Sequence, residues 1–421
     1  MENYSIVIFI MAVMIGLSAI ADKIKLPYPV LLIIAGIGVG FIPGLPDIEL
    51  SSEVVFLLFL PPLLYDAAFN ISFQEFKTNL HTISTLAISL VFLTASGIAV
   101  AAHYLIPGMT WPLSFVLGAI LSATDAVAAM SITKGLGLSH KTKTILEGES
   151  LVNDASALVA YRFAVAAVTG SAFVFWKASV EFIILMAGGF LVGMVLGRIL
   201  SIILQRVKEN AVVTISFMLL MPFLTYLIAE ELHVSGVIAV VVLGLGIADF
   251  SSKIFPKQLK VQSKTIWDII IFLLNGLIFI LIGLEFPYLI RNIDQSQILP
   301  YIGYSFIITI VALLIRMVRV FLQQINLKRA FQKGSRRVSE NSLLDFNTSL
   351  IISWSGMRGI VSLAIAIGLP VTLTDGSPFP QRNAIIFISV VVVLFTLIGQ
   401  GLTLPLIVKL LKTKNDKENA I

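Results

Sequence analysis

Residues 145–168 read ILEGESLVNDASALVAYRFAVAAV, a largely apolar stretch that nevertheless contains Glu147, Glu149 and Asp154. A helix needs about 20 predominantly apolar residues to cross the hydrocarbon of a bilayer. A carboxylate at the centre of that hydrocarbon costs at least about 2.5 kcal/mol. In a chain that is only 13% charged, packing gives no reason to place acids there, and the default reading is that they meet an ion or a proton part-way across a membrane. On a helix, Glu147, Ser150, Asp154 and Tyr161 fall on one face. Ser150 and Asp154 are one turn apart, so their oxygens can converge on one small cation. Asn153 and Glu149 share the neighbouring stripe, and the opposite face is Leu, Val and Ala. A polar stripe can also simply join helices through hydrogen bonds. That reading suits Ser150, but Ser or Asn makes such bonds without burying a charge. Asp154 is therefore read as the group that binds.

Composition extends this reading to the whole chain. It has 421 residues, 57% of them hydrophobic, and a mean hydropathy of +0.98, whereas a soluble domain carries about 25% charged residues. Apolar runs of spanning length recur from end to end, so the lipid bilayer is the expected solvent. With no cysteine, disulfides and thiolate metal sites drop out. No His pair has the spacing of a metalloenzyme motif, and no cofactor is expected. The sequence pI is near 9.2, but the basic residues sit at segment ends without aromatic partners, which argues against nucleic acid. The opening MENYSIVIFIMAV reads as a first spanning helix rather than a signal peptide.

Thirteen candidate helices follow, at about 4–21, 27–44, 53–70, 82–105, 111–133, 145–170, 180–204, 211–230, 234–249, 266–290, 299–323, 346–369 and 383–408. The expected fold is an all-α polytopic membrane protein, with one transmembrane domain over 1–408 and a short charged tail over 409–421, read as disordered. Alternate connections hold most of the Lys and Arg, among them Lys77, Lys141, Lys143, Lys257 and Arg329, and the tail adds more; the opposite connections hold only Lys177, Arg291 and Arg382. By the positive-inside rule the N-terminus is expected outside and the C-terminus in the cytoplasm.

Two other spans carry polar groups at mid-depth. The fifth contains Ser122-Ala123-Thr124-Asp125-Ala126 between apolar flanks, which suggests an interrupted helix. Asp125 is placed to cap its second half, and Thr124 can offer an oxygen to a cation. The twelfth contains Ser353-Trp354-Ser355-Gly356-Met357-Arg358-Gly359, a second candidate break. These spans are seven apart, the offset expected if helices one to six repeat as eight to thirteen with inverted topology, so that the two broken helices cross. Arg358 requires a carboxylate, and Glu149 and Glu147 are its candidates, since pairing with Asp154 would block the site. Asp66 follows Pro61-Pro62 near one end of the third span, where a lining role and an ion role are both open. Arg162 lies deep in the sixth span and either snorkels outward or pairs with an acid on another helix.

These residues resemble the monovalent cation:proton antiporters, the sodium/proton exchanger branch in particular. FLFLPPLLYDAAF, SATDAVA, EGESLVNDASALV and WSGMRGIVSLAIA carry the resemblance along the chain. It implies a thirteen-helix fold of two inverted six-helix repeats, a core beside a dimerisation region, and a homodimer in the plasma membrane. It further implies that Asp154 binds sodium or a proton with Ser150 and a Thr124 oxygen as co-ligands, that Asn153 steadies the crossing with Thr124 and Asp125, and that Glu149 pairs with Arg358. The Asn-Asp pair at 153–154 resembles the electroneutral branch. The family often has Pro after the Asp of the fifth helix, whereas this chain has Ala126, which leaves an amide hydrogen free.

The mechanism expected is exchange: one carboxylate takes either a proton or a hard monovalent cation, and only the loaded site crosses. Sodium, with lithium accepted, is the expected cation, and potassium or broad monovalent selectivity is the near alternative. A cation channel is a more distant one, because rings of carbonyls or acids usually need several subunits around an axis. A membrane enzyme would need a nucleophile, base or metal cluster at a segment end, and none is evident.

Overall fold

The lengths of the apolar runs translate directly into helices. The computed structural model describes residues 11–17, 19, 28–41, 52–133, 136–170, 175–334, 340–373 and 375–418. Most of the first expected span, the loop of Lys23 and Lys25, the pair Arg336 and Arg337, and the side chain of Glu53 lie outside the described residues. The helices are α1 (Tyr28–Gly40), α2 (Ser52–Asn70), α3 (Phe73–Ser84), α4 (Val91–Leu105), α5 (Trp111–Ile120), α6 (Ala126–Ile132), α7 (His140–Val168), α8 (Phe175–Val207), α9 (Ala211–Glu231), α10 (Gly236–Ile254), α11 (Lys257–Arg291), α12 (Gln295–Gln332), α13 (Phe346–Trp354), α14 (Ile360–Ile367), α15 (Arg382–Phe395) and α16 (Gly401–Glu418). Widened π turns at Thr85–Leu90 and Thr396–Gln400 join α3 to α4 and α15 to α16.

Eight of the described helical stretches are long and apolar enough to cross a membrane, and three shorter apolar ones accompany them. This is a polytopic, all-helical membrane protein. Starts are set by side-chain caps: Ser72, Ser139, Asn210, Ser235 and Asp345 each accept the amide three residues on. Asp294 accepts the Ser296 amide at 3.0 Å, which holds its exposed carboxyl below the usual carboxylate range. α12, with 38 residues, is about 57 Å long at 1.5 Å per residue. It therefore exceeds the hydrocarbon thickness and carries Lys328 and Arg329 beyond it.

Two expectations change. The fourth span begins at Phe73 rather than 82, because a Ser72-capped polar turn extends the apolar helix. The tail continues α16 to Glu418 instead of being unstructured from 409. α2 stays helical over Ser52–Asn70 with Pro61 and Pro62 inside it.

The helices pack in two groups. α1, α2, α8, α9, α10 and α11 contact one another, with α1 lying along α11 and α10 between α8 and α2. α1 and α11 approach backbone to backbone, since a Cβ on Gly36 would come within 2.9 Å of the Gly283 Cα. The second group contains α3 to α7 and α12 to α16. Outward faces are apolar and exposed, as at Ile183, Phe190 and Met194 on α8 and at Phe306, Leu314 and Val318 on α12. Lipid, not water, suits such a surface.

Candidate functional site

Two interrupted helices meet where the two groups face each other. The expected fifth span is broken between α5 and α6, and the expected twelfth between α13 and α14. The breaks are joined main chain to main chain, the Asp125 amide donating to the Met357 carbonyl at 2.7 Å. Ser362 Oγ adds a bond of 3.4 Å to the Ala123 carbonyl.

The charges follow the half-helix dipoles. Helix N-termini attract negative charge and C-termini positive charge. Asp125 caps α6, accepting the Ala128 amide at 3.1 Å. Its carboxylate also lies against Gly359, immediately before α14, where any Cβ would collide with it. Arg358, 1% exposed, serves the opposite poles. Its Nε donates to the Leu121 carbonyl at the end of α5 at 3.0 Å, and its Nη1 to the Gly356 carbonyl after α13 at 2.7 Å.

The implied pairing of Glu149 with Arg358 is corrected. Glu149 is held bidentately by Arg316 of α12, through Nη1 to Oε1 and through Nη2 to Oε2 at 2.8 Å. Arg316 Nε donates in addition to the Ile352 carbonyl at 3.0 Å. Gly356 makes this possible, because a Cβ there would strike the Arg316 side chain. Arg358 finds backbone carbonyls and stands near the pair electrostatically, as a neighbour rather than the partner. Carbonyls at two helix C-termini already answer its charge, so the sequence argument that it must seize a carboxylate was too narrow.

Ser150 and Asn153 of α7 pin the first break. Ser150 Oγ donates to the Thr124 carbonyl at 2.8 Å and accepts the Ala126 amide at 3.3 Å. The Ala126 amide hydrogen, which a Pro would lack, thus goes to Ser150. Asn153 Nδ2 donates to Thr124 Oγ1 at 2.7 Å, and its Oδ1 is buried without a bond. One turn past Ser150, Asp154 is 9% exposed. Among the described residues no hydrogen bond or ion pair reaches its carboxylate.

Asp154, Ser150, Thr124 and Asp125 line one cavity of about 60 Å³, room for a cation and a few waters. Asp66, Ala67, Asn275, Gly359, Val361 and Ser362 complete much of its wall. The structure therefore brings Asp66 to the site. Glu147 is not on that wall; Lys143 and Glu75 are its electrostatic neighbours, nearer the start of α7. Sequence reading missed Asn275 of α11, whose Oδ1 is buried and unbonded at the cavity. It also missed the part played by Arg316. An arginine midway along an apolar span was the available signal. Arg162 pairs with Glu230 of α9, its Nη2 lying 2.8 Å from both carboxylate oxygens.

Known proteins resemble this chain in sequence and fold. The family described as "Sodium/hydrogen exchanger, transmembrane" matches residues 8–410. A Bacillus pumilus protein named "Sodium, potassium, lithium and rubidium/H(+) antiporter" is 36% identical over 405 residues, covering 94% of this chain and 59% of its own length. The chain thus spans about three fifths of that relative. The "Na(+)/H(+) antiporter NhaH" of Halobacillus aidingensis is 34% identical over 425 residues, 96% of both chains. Among solved structures, the sodium proton antiporter MjNhaP1 from Methanocaldococcus jannaschii superposes with a TM-score of 0.77 at 21% identity, over 97% of this chain and 98% of that one. The likeness to that structure is one of fold.

Proposed function

Because the chain belongs to the sodium/hydrogen exchanger family, we propose that it exchanges monovalent cations for protons across the plasma membrane, with Asp154 as the shared seat. The family is one of transporters, so the enzyme reading is set aside. The observation that carries the proposal is the Asp154 carboxylate: buried, unbonded and on a cavity wall with Ser150 and Thr124 oxygens. Hard cations select oxygen ligands, and a proton competes for the same oxygens. Asp125, Asn153, Arg358 and the Arg316–Glu149 pair hold the crossing in shape around it.

In the mechanism, a cation reaches the cavity, sheds part of its water and takes oxygens from Asp154, Ser150 and Thr124. The loaded crossing turns to the other face, the cation leaves, and a proton takes its place for the return. An empty, charged seat is costly to carry through lipid-facing protein, so only the two loaded forms cross, and the result is one-for-one, electroneutral exchange. Sodium, with lithium accepted, is the cation we favour. The name of the Bacillus pumilus relative, which includes potassium and rubidium, supports broad monovalent selectivity as the second reading. The His140 end of α7 faces the cytoplasm in this proposal, as the Lys and Arg distribution favours. A homodimer belongs to the same proposal, on the strength of the resemblance.

Proteoliposomes given a sodium gradient are expected to move protons, with potassium and lithium compared side by side. Asp154→Asn is expected to abolish the movement, and retained exchange would refute the assignment. A cation current that never saturates would instead indicate a channel.

A further inference from the structure

The wall of the cavity runs toward one end of the molecule. Beyond Asp154 its wall continues to Asp66, near the end of α2, and to Ile271 and Asn275 of α11. Asp268 and Lys264 are electrostatic neighbours of Asp66. This is the His140 end of the molecule, because Thr144 at the start of α7 donates to Glu75 of α3 at 2.5 Å. On the other side of Asp154 the described side chains pack against one another. Tyr161 packs edge-on against Phe56 of α2, ring centroids 6.4 Å apart, and donates to the Gly368 carbonyl at 3.2 Å.

Arg162 lies on that packed side, eight residues past Asp154, about 12 Å along the helix. It joins α7, from the group containing the crossing, to α9, from the other group. α7 and α9 share no broad packed face. Among the described residues, the hydrogen bonds between them are those of Arg162 to Glu230. The acceptor is prepared from its own side. Glu230 stands at the tight turn into α10, where His233 has a positive φ of 54°, and it accepts the Gly236 amide at 3.2 Å. Gly236 leaves room, since a Cβ there would lie 2.9 Å from Glu230 Oε1 and 2.7 Å from the Tyr226 ring. The side chains are 38% and 29% exposed, so water can replace either partner when the pair parts.

We propose that the Arg162–Glu230 pair is an outer latch, made while the cavity opens at the His140 end and broken when it opens at the Val168 end. This rests on the antiport reading for its purpose, because alternating access requires the two groups to part on the closed side. A contact made in one of two states biases the equilibrium toward that state. The latch therefore holds the resting protein open to the His140 side.

The chain has no cysteine, so Val361→Cys on the cavity wall supplies a single reporter for a membrane-impermeant maleimide. In the reporter protein, labelling is expected from the His140 face and slowly from the other. Arg162→Met and Glu230→Gln are each expected to raise labelling from the Val168 face about three- to tenfold, the size suited to a partly exposed ion pair made in one state. Arg162→Lys, which keeps the charge on a more flexible stem, is expected to fall between. Should Arg162→Met fail to reach the membrane, Glu230→Gln carries the test. Unchanged labelling from the Val168 face overturns the latch, and so does an equal rise from both faces, which marks general loosening. Sodium-driven proton movement is measured in parallel on the protein without the reporter cysteine. Its absence would count against the antiport reading, while the labelling ratio still judges the latch.

Discussion

Glu149 and Asp154 lie on the same helix, five residues apart, and are 1% and 9% exposed. Their surroundings are opposite. Arg316 grips Glu149 with two parallel bonds, and Arg358 stands nearby. Asp154 faces a cavity, and among the described residues no bond reaches its carboxylate. Burial alone therefore does not mark an ion seat; under the exchange proposal, what marks one is a charge the protein leaves unanswered. A matched buried pair fixes structure, while the unmatched acid at the same depth is the proposed seat of a passing cation or proton.

Substitutions can break that contrast. The largest expected effect is on transport. Asp154→Asn is expected to reduce exchange at least about 100-fold while leaving the thermal midpoint unchanged or raised, since an unpaired buried charge is removed. Proton flux in vesicles and a melting curve in detergent check both halves. Glu149→Ala is expected to do the reverse kind of damage. It strands the Arg316 charge, at a cost of about 3–5 kcal/mol, read as a collapse of folded yield before any assay of flux.

Milder changes sharpen the comparison. Arg316→Lys keeps the charge but loses the fork and the bond to the Ile352 carbonyl, and is expected to cost about 1–2 kcal/mol, seen as a lower melting midpoint with exchange retained. Ser150→Ala removes a proposed co-ligand and both bonds to the first break, and an apparent cation affinity weakened about five- to tenfold is expected from proton flux at graded sodium. The smallest effect is expected at Asp66→Asn, about twofold in the same measurement, because Asp66 lines the approach and is already bonded to Asn70 at 2.9 Å.

Much of this was legible beforehand because a bilayer restricts the choices so severely. Where described, the thirteen expected spans fall on helix, and both breaks were visible as Ser-Ala-Thr-Asp and Ser-Gly-Met-Arg-Gly inside apolar runs. The capping role of Asp125 was legible for the same reason: an acid at the start of a half-helix has a local partner. The choice of partner between distant helices was not legible. Arg316, Arg358 and Arg162 are equivalent in a one-dimensional reading, and only packing shows that the first takes Glu149, the second helix-end carbonyls and the third Glu230. Asn275 was hidden differently. A single Asn in the run IFLLNGLIFI carries no charge to mark it, and its unbonded oxygen at the cavity is visible only in three dimensions.

The bond from the Asp125 amide to the Met357 carbonyl has a consequence for how this crossing can vary over generations. Neither of its atoms belongs to a side chain, so swapping the residue at either end leaves the tie intact, with proline at 125 the exception because it brings no hydrogen. The chemistry around the tie is free to drift, ligand by ligand, while the junction that carries those ligands stays beyond the reach of nearly every codon change.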